Sequence, residues 1–162
     1  MISLLRADDR LVHGLVAVSW TNQLHPDILL VANDHAATDS MTKMTMKLAK
    51  PAGVTLGIKS LKDAAQILNS PKYANKKIFV VTINVKDALA LKHDVAGIDK
   101  VNVGTAGIHY ENGVSVLPQI KMTEEEFASA KELHDQGVEV FAQVTPTAES
   151  LNFAGIEKAF KK

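Results

Sequence analysis

The chain of 162 residues contains no cysteine, which excludes disulfides, thiolate catalysis, iron–sulfur clusters and cysteine zinc sites together. That absence suits a reducing compartment, and any metal would have to be held by His and carboxylates. Charge of one sign is missing as well. Eighteen Lys and Arg balance eighteen Asp and Glu, so the basic footprint of phosphate-backbone binding is absent and nucleic acid is not an expected partner. Long hydrophobic runs are lacking: Ile28-Leu29-Leu30-Val31-Ala32 falls far short of the ~20 residues of a membrane helix. At the N-terminus, Ile2-Ser3-Leu4-Leu5 passes straight into Arg6, Asp8, Asp9 and Arg10. This is the wrong length and polarity for a secretory signal, so a cytoplasmic location is expected.

What is present is an ordinary globular composition, 46% hydrophobic and 22% charged, at a length that suits one domain over residues 1–162. Short β-type runs at 2–6, 28–32, 54–58, 77–83, 100–103 and 138–143 alternate with segments of helical spacing at 16–24, 40–49, 61–68, 86–93, 124–136 and 148–160. Several of the runs are almost continuously apolar, as strands buried on both faces are. Boundary residues agree with this division. Thr123-Glu124-Glu125-Glu126 reads as a capping box with Gly137 ending the helix, while Ser60 with Asp63, Asp39 before Ser40, and Thr145-Pro146 read as helix starts. The fold expected is therefore α/β: a single open, mainly parallel sheet with helices on both faces.

In such sheets ligands sit beyond the carboxyl ends of the strands, which directs attention to residues 7–14, 33–39, 82–87 and 104–107. The first of these holds Arg6-Ala7-Asp8-Asp9-Arg10-Leu11-Val12-His13-Gly14, the densest cluster of functional groups in the chain. A histidine that accepts a phosphoryl group needs one ring nitrogen unprotonated, a partner fixing the other, and positive charge or N–H donors around the phosphate oxygens. His13 supplies the nucleophile and Arg10 a guanidinium fork. Asp9 is available to orient Arg10 or the imidazole, and Gly14 allows close approach of backbone N–H groups. Asn33, Asp34 and His35 would line the same cleft if the first two strands are neighbours. As a bland alternative, Asn33 and Asp34 are turn formers and His35 a solvated loop residue. Gly104-Thr105-Ala106-Gly107 resembles a phosphate-cradling loop in composition but lacks the Lys and spacing of a P-loop. His25, His93, His109 and His134 show no ligand spacing, Trp20 and Phe127 suit core positions, and Lys43, Lys47 and Lys50 suit a solvated helix edge.

Asp8-Asp9-Arg10-Leu11-Val12-His13-Gly14 followed by Trp20 resembles the DDRLIHGQV…W signature of the IIB components of the mannose/fructose/sorbose class of the bacterial sugar phosphotransferase system. The resemblance continues through residues 28–34, Ala49-Lys50-Pro51-Ala52-Gly53-Val54, Pro71-Lys72-Tyr73 and Val101-Asn102-Val103-Gly104, in order over almost the whole chain. It implies a mainly parallel α/β fold and a transferase that carries a phosphoryl group covalently, without a cofactor, on the His13 nitrogen nearer Cβ. Arg10 and Asp9 would assist. The donor would be a phosphohistidine on a separate IIA protein. The acceptor would be a sugar (mannose, fructose, sorbose or an N-acetylgalactosamine-type amino sugar) entering through membrane IIC and IID components, with which the chain would associate peripherally. The chain departs from the commoner pattern at Leu15, where Gln is usual, and at Gly104-Thr105-Ala106-Gly107, where many relatives have paired glycines.

A carrier that faces two partners in turn is expected to expose His13 on a shallow face. The balanced charge is compatible with a homodimer. A receiver-like reading of Asp8-Asp9 fails because no acceptor Asp follows the third strand. Two other readings stay open: a metal-dependent hydrolase using Asp9, His13, Asp34 and His35, and a non-catalytic sugar- or partner-binding module.

Overall fold

A computed structural model describes residues 1–107 and 110–162; His109 and the side chain of Leu15 lie outside the described part. In chain order the elements are β1 (Ile2–Ala7), α1 (Gly14–Leu24), β2 (Ile28–Ala32), α2 (Asp34–Thr38), α3 (Ser40–Ala49), β3 (Thr55–Lys59), α4 (Leu61–Asn69), a 3-10 turn (Pro71–Tyr73), β4 (Ile78–Thr82) and α5 (Val85–Asp94). Then follow β5 (Lys100–Val103), β6 (Val114–Leu117), β7 (Ile120–Met122), α6 (Glu124–Asp135), β8 (Glu139–Ala142), β9 (Leu151–Asn152) and α7 (Phe153–Phe160). Seven strands form one sheet in the order β3-β2-β4-β1-β5-β8-β9, parallel throughout except that β9 runs antiparallel to β8. The α/β class, the mainly parallel sheet and the single domain are as the residue pattern predicts.

Alternation along the strands divides the core. Leu29 and Val31 enter one apolar cluster with Ala17 and Trp20 of α1, Ala36 of α2 and Met46 of α3. Leu30 and Ala32 enter the other, with Ala64 of α4, Leu91 of α5, Leu133 of α6 and Ile156 of α7. Side chains two apart share a face, so a strand covered on both sides must be apolar at nearly every position. The direction of winding explains which helices go where. The chain steps outward from β1 to β2 to β3, then reverses through β4, β5 and β8. Right-handed crossovers in opposite directions put their helices on opposite faces.

The strand order corrects one expectation. β4 lies between β1 and β2, so the residues after β2 are not beside the residues after β1. Three boundary expectations also change. The helix expected over 148–160 starts at Phe153, because Asn152 caps it by accepting from Gly155 N at 2.9 Å and residues 151–152 are drawn into β9. Thr145-Pro146 forms a turn closed by Ala148 N to Thr145 O at 3.0 Å and starts no helix. Thr123 accepts from Glu126 N as a capping box requires, but the Glu126 carboxylate reaches across to Val85 N at 2.9 Å, capping α5. Residues 34–38, expected as a loop, form α2, capped by Asn33, and the β6-β7 hairpin has no counterpart in the sequence reading.

Candidate functional site

β1 carries the site. Its neighbours β4 and β5 both lead their chains to the opposite face of the sheet from α1, so the segment after β1 emerges at a point where the chain diverges on either side. Asp8 N donates to Thr82 O of β4 at 2.9 Å and Asp9 N to Thr105 O beyond β5 at 3.0 Å, which fixes that segment between them. Leu11, with φ 57°, sits in the left-handed region, as does Gly14 at φ 39°. A Cβ at Gly14 would meet nothing, so glycine serves the backbone angle there rather than a close approach. This turn delivers His13 to the N-cap position of α1, where its side chain makes no capping hydrogen bond and is left to the site.

Nε2 of His13 lies 3.2 Å from Oδ2 of Asp8. Asp8 is wholly buried, and the same Oδ2 accepts from Arg6 Nε at 3.2 Å and Arg6 Nη2 at 3.0 Å. Its other oxygen accepts from Arg10 N at 3.0 Å. Burial raises the Asp8 carboxyl pKa, but the His13 hydrogen bond, the Arg6 charge and the Arg10 N–H together outweigh it and hold the group below the usual carboxylate value. Asp8 is therefore an ionised, acceptor-only group. Because it can only accept, Nε2 of His13 must carry the hydrogen, and the lone pair of a neutral ring falls on Nδ1.

Arg6 is 2% exposed, and burial lowers its pKa while Asp8 pulls it back. Four hydrogen bonds hold it, two of them to Asp8. Arg6 pairs in register with Asn102 on the adjacent strand β5, and Nη1 donates to Asn102 Oδ1 and to Gln143 O. The Asn102 amide in turn donates to Gln143 O at 3.2 Å. The Trp20 ring lies 5.4 Å from the guanidinium carbon, with its own N–H given to Val144 O at 2.9 Å. Trp20 is a core residue, as expected, and also a platform for a buried cation.

The residue pattern offers Asp9 to orient Arg10 or the imidazole; in the structure the carboxylate in contact with the imidazole is Asp8. Alternation is the cause: Asp8 falls on the Arg6 side of the strand, while Asp9 turns to the segment after β5 and accepts from Gly107 N at 3.2 Å. Arg10 is exposed, and its guanidinium has no partner among the described residues. Gly104 packs directly on Arg6, its N–H donating to Ala7 O at 2.8 Å. Asn33 and Asp34 are not at the site. Asn33 accepts from Ala36 N and Asp34 from Leu61 N of α4 at 2.9 Å, in a groove between α4 and α5. The set Asp9, His13, Asp34 and His35 is thus not assembled, and no group of three His, Cys, Asp or Glu among the described residues is placed to hold a metal.

The His13 side chain is 22% exposed, less open than the expected exposed group, because Asp8 holds it against the rim. Arg6, Asp8 and Asn102 went unassigned in the sequence reading. A charged residue at the end of an apolar strand, followed by a carboxylate two positions on, is the signal the sequence offers for the first two.

Over residues 2–162 the chain matches the family described as PTS system sorbose subfamily IIB component. It is 43% identical to a probable phosphotransferase enzyme IIB component of Streptococcus pyogenes, over 91% of this chain and 93% of that one. It is 30% identical to the mannose-specific EIIAB component of Escherichia coli, over 86% of this chain and 43% of that longer one. The fold superposes on the IIBSor domain of the Klebsiella pneumoniae sorbose permease with a TM-score of 0.91, 23% identity, and coverage of 98% and 97%.

Proposed function

The chain belongs to the IIB components of the sorbose subfamily of the phosphotransferase system, and from that membership we propose that it accepts a phosphoryl group on Nδ1 of His13 and passes it to an incoming sugar. The observation that supports this most directly is the 3.2 Å contact between His13 Nε2 and the buried Asp8 carboxylate, which leaves Nδ1 as the nucleophile. The donor is a phosphohistidine on IIA, a partner suggested by the fused EIIAB relative. The acceptor is a sugar hydroxyl presented by membrane IIC and IID components. No cofactor enters the scheme, and the carrier works in the cytoplasm at the face of the membrane transporter.

In the first half-reaction the Nδ1 lone pair attacks phosphorus in line with the donor's P–N bond. The new P–N bond forms as the old one breaks, and the donor imidazole keeps its electron pair. The phosphorylated His13 ring is cationic with its hydrogen still on Nε2, and Asp8 stabilises that charge without moving. In the second half-reaction the sugar oxygen attacks phosphorus, the His13 P–N bond breaks, and the hydroxyl proton leaves with a base at the acceptor site. Phosphoryl transfer asks the protein for positioning and charge rather than covalent help. Arg10 extends a guanidinium free to fork the phosphoryl oxygens, and the N-terminus of α1, eleven residues long, adds its N–H groups and positive pole.

The test is phosphorylation from phosphoenolpyruvate through the general phosphotransferase proteins and a cognate IIA, read by intact mass. One acid-labile phosphate on the native chain and none on His13→Ala is the expected result. Label persisting in the variant overturns the assignment.

A further inference from the structure

The helices on the two faces of the sheet differ in charge. Helices α4 to α7 carry nine carboxylates against five lysines, whereas on the other face α1 and α3 carry no Asp or Glu, the short α2 carries Asp34, and Asp39 caps the start of α3. The only charged side chains of α1 and α3 are Lys43 and Lys47. Neither has a hydrogen-bond or ion-pair partner among the described residues. Lys50, just beyond α3, donates instead to Val54 O at 2.9 Å.

The outer side of α3 is also apolar. Met46 is buried in the core cluster beneath it. With 3.6 residues per turn, Met41, Met44 and Leu48 fall together on the side directly opposite. They are 70%, 60% and 84% exposed, the largest group of exposed apolar side chains among the described residues. Lys43 and Lys47 border this ridge on one flank, and Thr45 lies on the other. The ridge is convex: three unbranched or γ-branched chains project from a helix instead of lining a groove.

We infer that the α3 ridge is a contact surface for an anionic lipid bilayer, with Met41, Met44 and Leu48 entering the boundary between headgroups and acyl chains and Lys43 and Lys47 meeting lipid phosphates. Charge complementarity selects this occupant. A second copy of the chain docked ridge to ridge would bring unpaired lysines together, whereas a phospholipid surface supplies negative charge above an apolar layer. Long lysine stems can run along the apolar boundary with their ammonium groups directed to phosphate. Such contact places the chain on a membrane, not through it, in keeping with the absence of any described helix long and apolar enough to cross one.

The experiment is co-sedimentation of the full chain with vesicles of mixed phosphatidylglycerol and phosphatidylcholine, compared with phosphatidylcholine alone. Binding to the anionic vesicles at low salt is expected, falling as salt is raised. The double variants Met44→Glu/Leu48→Glu and Lys43→Glu/Lys47→Glu should each partition at least ~tenfold more weakly. Circular dichroism should show both folded, since these side chains are on the surface. Failure of the native chain to sediment with anionic vesicles overturns the inference, and so does equal binding by the Met44→Glu/Leu48→Glu chain. A ridge used only for a protein partner gives the first of these results. None of the readouts depends on His13.

Discussion

Gly104 lies so close to the guanidinium of Arg6 that a Cβ there would overlap its central carbon, with Nη1 only 2.7 Å away. Neither neighbour can yield cheaply. Arg6 is pinned by Asp8, Asn102 and Gln143, and the backbone at Gly104 is tied to Ala7. Gly104 therefore makes room for the cation that pairs with Asp8 and helps His13 hold that carboxyl ionised. Gly104→Ala is expected to cost about 1–3 kcal/mol by overpacking, measured by urea unfolding. It should also slow phosphoryl acceptance, because a displaced Arg6 releases Asp8.

Asp8→Asn removes a buried charge and leaves Arg6 uncompensated, with an expected loss of about 3–5 kcal/mol. The carboxyl pKa of Asp8 is held low in the folded chain, so its contribution to stability is present above the ordinary aspartate value of 3.8 and is lost as pH falls through the lower folded value. Unfolding free energy followed below pH ~4 should show this decline in the native chain and a shallower one in the variant. Nitrogen NMR of the His13 ring gives a separate readout. The native neutral ring should carry its hydrogen on Nε2, and Asp8→Asn should mix the two tautomers.

Glu126 titrates in the opposite sense. Burial raises its carboxyl pKa, only partly offset by the Val85 and Lys86 N–H groups. A raised acid favours the folded state most below the ordinary value of 4.5 and loses that advantage as pH rises through the folded pKa. Glu126→Gln should therefore flatten stability against pH in the window just above 4.5. Its cost as a cap of α5 should be about 1 kcal/mol, measured as the denaturant midpoint across that window.

Arg10 is expected to matter to transfer and not to folding. Its side chain is exposed and makes no hydrogen bond or ion pair with a described residue, so Arg10→Ala should change stability by no more than about 0.5 kcal/mol. A charged hydrogen-bonding pair contributes about 1.5–3 kcal/mol, so the rate of phosphoryl acceptance should fall roughly ten- to a hundredfold. Arg10→Lys should restore part of it, since an ammonium keeps the charge but not the fork. Single-turnover transfer from phosphorylated IIA measures all three chains.

The lesson of the Asp8 and Asp9 pair lies in what each carboxylate contacts. Both stand in one short motif, and residue types alone make either a candidate partner for the imidazole. What separates them is strand alternation continued one residue past β1, a local rule that was legible at Arg6 and Asp8. The partners beyond were not. Asn102 is ninety-six positions from Arg6, and nothing in a single sequence states that β5 lies in register beside β1. Glu126 shows the same limit: its spacing from Thr123 is that of a capping box, yet tertiary packing offered it the free N–H groups of a neighbouring helix.

The sequence by itself determined the alternation of strands and helices, the apolar strands that demand cover on both faces, the caps at Asp39, Ser60 and Thr123, and the prominence of His13. All of these are set by neighbours within a turn or two of the chain. Only the tertiary structure decided the strand order, which inserts β4 between β1 and β2 and takes Asn33 and Asp34 away from the site. It also decided the row from Asn102 through Arg6 and Asp8 to His13. Burial makes that row consequential, because a buried charge must be met by partners that only distant segments, brought together by folding, can supply.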